Sequence, residues 1–426
     1  MGVIDKIKAR IADDDVNLGD ESEEDDGKWR PTLLTVALLV KLQNLLSEMD
    51  DSQDGTDNED QESLLQVFGS YWHVSVKIGE GLRGFKQDDE AGIEENTKGL
   101  IDHLSNHTGM PDNDIIMAHT TDSEDLEDGH CPDFALVLIH HHQVILVNVC
   151  GTRMIPVPKM MDVFLDLAAE AVPFMEGRAH RGMAMGCDNI IEKASEALTK
   201  ARRDYPDYGV LVTGYSLGAG IAPLLTMKLL SGDVDLGGKP PFIRCICYGG
   251  PPVYQPGDKC RWLRTNDDNN DRFLAVPNIY LVANKADGLR SASLNTVTKF
   301  FEQIKAVNDL QLGRRKMFKM LRVKSDAVTN GLPSALQRLQ EAVLSVEAED
   351  SLGVAKLDHP AGKSFWFKGE GEMRVFEDTR KMTNNLCLSM SMLNDHMPWG
   401  YNSLFDQCGT DIGEVSIEDF KEVMAI

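Results

Sequence analysis

The fold is decided by the stretch Val210-Leu211-Val212-Thr213-Gly214-Tyr215-Ser216-Leu217-Gly218, which is followed by an apolar run at residues 219–230. The β-rich residues before Gly214 predict a short buried strand, and the run after Gly218 predicts a helix. Glycines on both sides of Ser216 permit a sharp turn that brings strand and helix close together. A strand, a Gly-x-Ser-x-Gly turn and a helix in this order predict a nucleophile elbow, which exposes the serine Oγ above a sheet.

Strand-like and helix-like segments alternate on both sides of this elbow. The strand-like runs are residues 135–140, 143–149, 242–248 and 278–283, and the helical ones are residues 160–171 and 186–202. Such alternation indicates a largely parallel sheet covered by helices on both faces. The triplet His140-His141-His142 falls between two of the strands, where we expect a polar hairpin turn rather than a metal site.

A serine becomes a nucleophile when a base accepts its proton and an acid orients that base. In the α/β-hydrolase fold the chain order is serine, acid, histidine. Only His359 and His396 follow Ser216. We favour His396, in a predicted loop after the strand-like runs at 364–376, because His359 precedes those runs. Asp287 comes just past a predicted strand, so we predict a triad of Ser216, Asp287 and His396 in an α/β-hydrolase fold: a mostly parallel central sheet flanked by helices, with a helical insertion.

Six ordered motifs surround these residues. They are Val149-Cys150-Gly151-Thr152, Ala179-His180-Arg181-Gly182-Met183, the Gly214–Gly220 elbow, Cys247-Tyr248-Gly249-Gly250-Pro251-Pro252, Asn284-Lys285-Ala286-Asp287 and Asp395-His396-Met397-Pro398. Together they resemble the class 3 lipase family, and within it the catalytic domain of the sn-1-specific diacylglycerol lipases. The resemblance covers roughly residues 65–405.

The resemblance implies the same triad and also an oxyanion hole formed by Thr152 and the backbone N–H of Leu217. A donor from the residue after the nucleophile suits the tetrahedral oxyanion. The resemblance places Tyr215 and His180 at the substrate pocket. Tyr215 stands where the family usually has His, and Cys150 where it usually has Arg, so the lipid head group and acyl chain stay open.

These features predict a serine hydrolase that cleaves a carboxylic ester of an acylglycerol or related lipid through an acyl-enzyme. Two alternatives remain: an acyl hydrolase of phospholipids or galactolipids, and a non-catalytic lipase-like module for lipid sensing or signalling. We expect a lipid substrate, no cofactor and no metal. Calcium stays open because residues 413–420 resemble the exit half of an EF-hand, although Cys408, Thr410 and Ile412 replace its entry carboxylates.

Charge divides the chain into unequal parts. The net charge is -25, which argues against nucleic acid as a partner. Residues 1–62 carry 18 acidic and 6 basic residues. They predict an acidic N-terminal segment with short helices, partly disordered. We assign residues 63–410 to the hydrolase domain, with its insertion at 295–350, and residues 411–426 to a tail helix.

The insertion is basic within this acidic chain. Residues 299–324 hold eight Lys and Arg but two Asp and Glu, interleaved with apolar residues. Two interpretations stay open: contact with anionic lipid or cover for the active site, and a helical hairpin packed on the domain. The eight cysteines form no CxxC pair, and we find no signal peptide and no membrane-spanning run. We therefore expect an intracellular protein, cytoplasmic or peripherally bound to membranes.

Overall fold

The structure is a computed structural model that describes most of the chain beyond residue 60. The described residues are 35–42, 61–85, 93–120, 131–151, 171–265, 271–312, 314–322, 334–346, 356–369, 372–383, 391–406 and 412–425. Most of the predicted acidic segment at 1–62 lies outside them. So does the predicted helix at 160–171, except that residue 171 begins a strand.

The described strands are β1 Ile115–His119, β2 Phe134–Ile139, β3 Val144–Val149, β4 Ala171–Phe174, β5 Gly177–His180, β6 Gly209–Tyr215, β7 Ile243–Tyr248, β8 Tyr254–Pro256, β9 Leu263–Thr265, β10 Arg272–Leu274, β11 Val276–Asn284, β12 Ala361–Gly369 and β13 Glu372–Phe376. The described helices of four or more residues are α1 at 35–42, α2 Gln61–Gly84, α3 Ile93–Thr108, α4 Arg181–Asp204, α5 Gly218–Ser231, α6 Leu294–Asp309, α7 Arg314–Leu321, α8 Ser334–Leu344, α9 Arg380–Thr383, α10 Met392–His396, α11 Pro398–Phe405 and α12 Ile417–Val423.

A mixed sheet organises these elements. Among the described residues, eight strands form it in the order β1-β2-β3-β6-β7-β11-β12-β13. The neighbours from β3 to β12 pair in parallel, whereas β1–β2, β2–β3 and β12–β13 pair antiparallel. Parallel strands need crossover connections, and helices α4 and α5 supply two of them on either side of β6. Their carboxyl ends therefore meet at one edge, where the chain leaves β6 for Ser216.

Both faces of the sheet are buried. Along β2, Phe134 and Leu136 enter one hydrophobic cluster, while Ala135 and Val137 enter another. The first cluster includes apolar residues of α4 and α5, and the second includes residues of α2, α11 and α12. A parallel sheet covered by helices on both faces is the predicted arrangement, and the α/β-hydrolase fold class is confirmed.

The tail helix α12 is part of the core. Phe420 is fully buried, and its ring stacks on His142 with centroids 4.5 Å apart. The three histidines do form the turn between β2 and β3, but that turn is only partly polar, because α12 covers it. The Nδ1 atom of His142 lies 2.9 Å from the hydroxyl of Tyr71 on α2.

The insertion between β11 and β12 folds around a cluster of its own. Phe300, Ile304 and Val307 of α6 pack with Leu336 and Leu339 of α8, and Leu38, Leu39 and Leu42 of α1 join them. The predicted helical insertion is thus a packed bundle that includes a helix from the N-terminal segment. No described helix has both the length and the apolar character needed to cross a membrane.

The elbow depends on two glycines that have no room for a side chain. A Cβ at Gly214 would lie 2.3 Å from the carbonyl oxygen of Gly218, and one at Gly218 would lie 2.2 Å from that of Val149. Both neighbours are backbone atoms, so neither can swing away. Ser216 between them has φ 58°, a left-handed conformation that L-residues adopt at some cost.

We predict that Gly214→Ala lowers the free energy of unfolding by about 2–3 kcal/mol, because the added methyl group overpacks the elbow. Urea denaturation measures the loss. Gly99→Ala on α3 is the matched control, since its Cβ would meet only ring carbons of Phe85 at 3.6 Å. That variant should be neutral or more stable by about 0.5–1 kcal/mol. Equal stability of the two variants would contradict the packing described here.

Candidate active site

The structure brings Ser216, His396 and Asp287 into one hydrogen-bonded line. The Nε2 atom of His396 lies 2.9 Å from Ser216 Oγ. Its Nδ1 atom lies 2.9 Å and 3.0 Å from the two carboxylate oxygens of Asp287. An imidazole that donates from Nδ1 to a carboxylate holds Nε2 as an acceptor toward the serine hydroxyl. The arrangement can therefore accept the serine proton and stabilise the resulting imidazolium.

Asp287 is fully buried and well supplied with donors. Tyr401 donates its hydroxyl to Oδ2 at 2.7 Å, and the backbone N–H of Leu289 donates to Oδ1 at 2.9 Å. Burial, together with the charge of Asp287, raises the pKa of Tyr401 well above its ordinary value, so the phenol stays a donor. A buried carboxylate is costly unless it is paired and hydrogen-bonded, and here it has both kinds of partner.

The helix that carries His396 is fastened to the loop that carries Asp287. Asn284 donates its side-chain amide to the carbonyl oxygen of Asp395 at 3.0 Å. The carboxylate of Asp395 accepts hydrogen bonds from Ala286 N at 3.2 Å and from Ser391 Oγ at 2.7 Å. We expected His396 in a loop, but it is the last residue of α10. Two of these bonds fasten the C-terminal end of the short helix to the end of β11 and the loop after it, and the bond from Ser391 closes the first turn of the helix.

Tyr215 packs directly against His396. Its ring stacks on the imidazole with centroids 5.3 Å apart, and its hydroxyl donates to the His396 carbonyl at 2.5 Å. Burial raises its pKa well above the ordinary value, so it too remains a donor. These contacts fix the orientation of the histidine, and the place of Tyr215 at the substrate pocket stays a prediction.

Sequence reasoning missed the contribution of α2. Trp72 stacks on Tyr401 at 4.9 Å, meets Tyr215 edge-on at 5.1 Å and donates its Nε1–H to Asn402. Trp72 therefore supports the two tyrosines that contact His396 and Asp287. The amphipathic pattern of α2 could have predicted burial of Trp72, but its partners lie more than 140 residues away along the chain.

A small cavity beside the nucleophile was also missed. It offers about 20 Å³, room for one water molecule, and it is lined partly by Arg83, Cys150, Gly151 and Tyr215. A Cβ at Gly151 would lie 3.0 Å from the Cβ of Ser216, so the cavity borders the elbow. Arg83 is half-buried and makes no ion pair within the described part of the chain. Burial raises the pKa of the Cys150 thiol to about 12, so this cysteine stays neutral.

Of the two residues predicted to form the oxyanion hole, only Leu217 belongs to the described part of the chain. Leu217 directly precedes α5, and its backbone N–H donates to no acceptor in the described stretches. A donor at the N-terminus of a helix suits an anion. Thr152 lies outside the described residues, so the pairing of Thr152 with Leu217 stays a prediction.

His180 and His359 both accept hydrogen bonds from backbone N–H groups. His180 ends β5 and caps α4, where its Nδ1 accepts the N–H of Met183 at 3.4 Å, and its place at the substrate pocket stays a prediction. His359 is fully buried, and its Nδ1 accepts the N–H of Ala361 at 3.2 Å. Burial lowers the pKa of His359 to about 3, which keeps it neutral. The structure therefore brings His396, not His359, to Ser216.

The described residues contain no group of three or more His, Cys, Asp or Glu side chains able to hold a metal ion. The six cysteines in that part of the chain are all buried, and none of them forms a disulfide. Residues 407–411, which carry most of the predicted entry half of the calcium loop, lie outside it. The absence of a cofactor and the open question of calcium stay predictions.

Comparisons with known proteins concentrate on the segment around Ser216. Residues 152–287 match the model of the family described as lipase (class 3). Over 126 residues the chain is 29% identical to diacylglycerol lipase-beta of Mus musculus, a stretch that covers 28% of this chain and 17% of that relative. The predicted resemblance is confirmed for this segment, which contains Ser216 and Asp287 but ends before His396. The chain thus spans less than a fifth of that relative's length.

Two lipases are among the solved structures that match part of the chain. The Lip2 lipase of Yarrowia lipolytica is 17% identical, with a TM-score of 0.33, over 52% of this chain and 73% of that one. Lipase II of Rhizopus niveus is 14% identical, with a TM-score of 0.39, over 74% of this chain and 85% of that one.

The Tyr401–Asp287 hydrogen bond generates a prediction about the reactivity of Ser216. Tyr401→Phe should lower the rate of fluorophosphonate labelling about tenfold, because one hydrogen bond to a charged group contributes roughly 1.5 kcal/mol. Tyr280→Phe is the control, since it removes another buried phenol bond, to the Met424 carbonyl at 3.2 Å, far from the serine. If both variants label at the wild-type rate, the phenol does not support the acid.

Proposed function

We propose, from the premise that residues 152–287 form a class 3 lipase segment, that this protein is a serine hydrolase of lipid carboxylic esters. The preferred substrate class is an acylglycerol or a related lipid. The observation that carries the proposal is the unbroken hydrogen-bonded line from Ser216 through His396 to Asp287. A non-catalytic module has no need for a buried acid aligned behind a histidine and a serine.

The proposed reaction proceeds through an acyl-enzyme. As Ser216 Oγ attacks the ester carbonyl carbon, His396 Nε2 accepts the hydroxyl proton. The tetrahedral intermediate collapses, the ester C–O bond breaks, and His396 returns the proton to the leaving alcohol. A water molecule then gives its proton to His396 and attacks the acyl carbon, which releases the fatty acid and restores the serine.

The developing negative charge in each step falls on the former carbonyl oxygen. The N–H of Leu217 at the start of α5 is the donor that we assign to it, and the family resemblance adds Thr152. Asp287 keeps the tautomer of His396 fixed and stabilises its cation. Tyr401 holds the acid through a hydrogen bond to Asp287. Tyr215 holds the base by stacking on the imidazole and by a hydrogen bond to the His396 carbonyl.

A specific residue also favours a second substrate class. Arg83 contributes a guanidinium without an acidic partner in the described residues, and it lines a small cavity together with Gly151 and Tyr215, the residue before the nucleophile. An anionic head group would complement this charge, which favours glycerophospholipid acyl esters as the second candidate. The cavity itself admits only a water molecule, so a phosphate would bind at its mouth.

We predict that Ser216→Ala abolishes hydrolysis of a soluble short-chain p-nitrophenyl ester, with a loss of at least about 10⁴-fold, because no nucleophile remains. Ser195→Ala on α4 is the matched control and should keep full activity. Far-ultraviolet circular dichroism checks that both variants fold. Hydrolysis that survives in the Ser216→Ala variant would exclude the assignment of the nucleophile.

The rival function as a non-catalytic lipid-sensing or signalling module predicts the opposite result for the unmodified protein. A folded wild-type chain that neither hydrolyses the ester nor reacts with a fluorophosphonate would support that module. Labelling that is confined to Ser216 supports the hydrolase.

Substitution of Arg83 distinguishes between the two candidate substrate classes. If phospholipid is a substrate, Arg83→Gln should lower kcat/KM about tenfold on phosphatidylglycerol and leave it unchanged on a neutral diacylglycerol, since one charge-assisted contact is lost. Arg83→Lys should retain part of the phospholipid rate. An equal effect on both lipids would remove the reason for preferring an anionic head group.

A further inference from the structure

Helix α7 has one buried face and one exposed face. Met317 and Met320 are buried in the cluster formed with α1, α6 and α8. On the other side, Arg315, Lys316, Phe318 and Lys319 are exposed, and Arg322 just beyond the helix is exposed as well. We call these five residues the α7 face. The methionines account for how the helix is held, but nothing in the bundle accounts for the composition of the opposite side.

Phe318 is the unusual member of the α7 face. Its side chain is 55% exposed, and the only other large hydrophobic residues exposed to a similar degree in the described residues are Met185 and Trp399. A single exposed apolar side chain is ordinary on a protein surface, but Phe318 lies among four cations, and this combination fits a partner that has an apolar layer under a charged surface.

The four cations of the α7 face lie within eight consecutive residues, and none of them makes an ion pair within the described residues. The chain as a whole carries a net charge of -25, so a concentrated positive surface runs against its average. Because screening limits electrostatics to about 8–10 Å, a partner responds to the local charge and not to the total.

We propose that the α7 face docks on an anionic lipid bilayer. Phe318 enters the boundary between head groups and acyl chains, and Arg315, Lys316, Lys319 and Arg322 contact the lipid phosphates. An aromatic side chain surrounded by cations on one helical face fits this layered surface. A nucleic acid or an acidic protein would satisfy the cations but would offer no acyl layer to Phe318.

The docking face is connected in sequence to the catalytic loops. Helix α6, which starts the bundle, begins at Leu294, seven residues after Asp287, and its first turn is fixed by a capping box between Ser293 and Thr296. Trp399, 51% exposed, follows His396 by three residues. A docked α7 would therefore tether the active-site loops to a bilayer. This benefit rests on the proposed function, whereas the binding itself does not.

Vesicle sedimentation of the full chain tests the proposal. The wild type should bind vesicles of phosphatidylcholine with 30% phosphatidylserine, should bind pure phosphatidylcholine far less, and should lose binding between 50 and 500 mM NaCl. Lys316→Gln/Lys319→Gln should lower the partition coefficient about thirtyfold, since each cation near such a surface contributes about a fivefold factor. Phe318→Ala should weaken binding about tenfold and retain the salt dependence, because it removes apolar contact only.

Lys193→Gln/Lys200→Gln is the matched control, because it removes the same charge from exposed positions on α4. This control should bind as the wild type does. All variants should hydrolyse a soluble short-chain ester at the wild-type rate in the absence of vesicles, which separates a docking failure from a failure of the hydrolase proposal. The proposal is overturned if the α7 variants bind like the control, or if the wild type does not prefer anionic vesicles at low salt.

Discussion

The buried carboxylate of Asp287 is the interaction on which the rest of the site depends. A charge removed from water must be matched by donors, and here they come from His396, Tyr401 and the backbone of Leu289. These donors belong to α10, α11 and the loop after β11. The hydrogen bonds to this one carboxylate therefore hold three separate segments of the chain together above the sheet. They also keep the imidazole at hydrogen-bonding distance from Ser216.

The parallel sheet makes this gathering possible. The strands β6, β7 and β11 are neighbours, so their carboxyl ends deliver Ser216, Gly249 and Asp287 to one edge. Gly249 shows how tight the edge is, because it has φ 59° and a Cβ there would lie 2.4 Å from Asp287 Oδ2. Below this edge, Tyr215 packs against His396, and Trp72 packs against Tyr215 and Tyr401. The site is therefore closely packed where the protons move.

The chain is acidic as a whole, but the exposed side of α7 is basic. The helical insertion is stabilised by its own apolar cluster. The outer side of α7 therefore does not need to pack against the rest of the domain. Cations and an aromatic ring can occupy that side at little cost to stability, since surface charges contribute little when unpaired. The two interpretations of the insertion from sequence are thus compatible: one side of α7 packs in a bundle, and the other remains available to a partner.

The sequence by itself determined the elbow, the α/β class and the order of the candidate residues. These follow from local chemistry: glycines that permit a turn, apolar periodicity, and the short list of acids and histidines after Ser216. Only the tertiary structure decided that Tyr215 supports His396, that Trp72 and Tyr401 complete the site, and that the tail helix is core. Those contacts join residues as far apart as Trp72 and Asn402, 330 positions along the chain. Periodicity reports which side of an element is buried, but the identity of the partner depends on how distant elements pack.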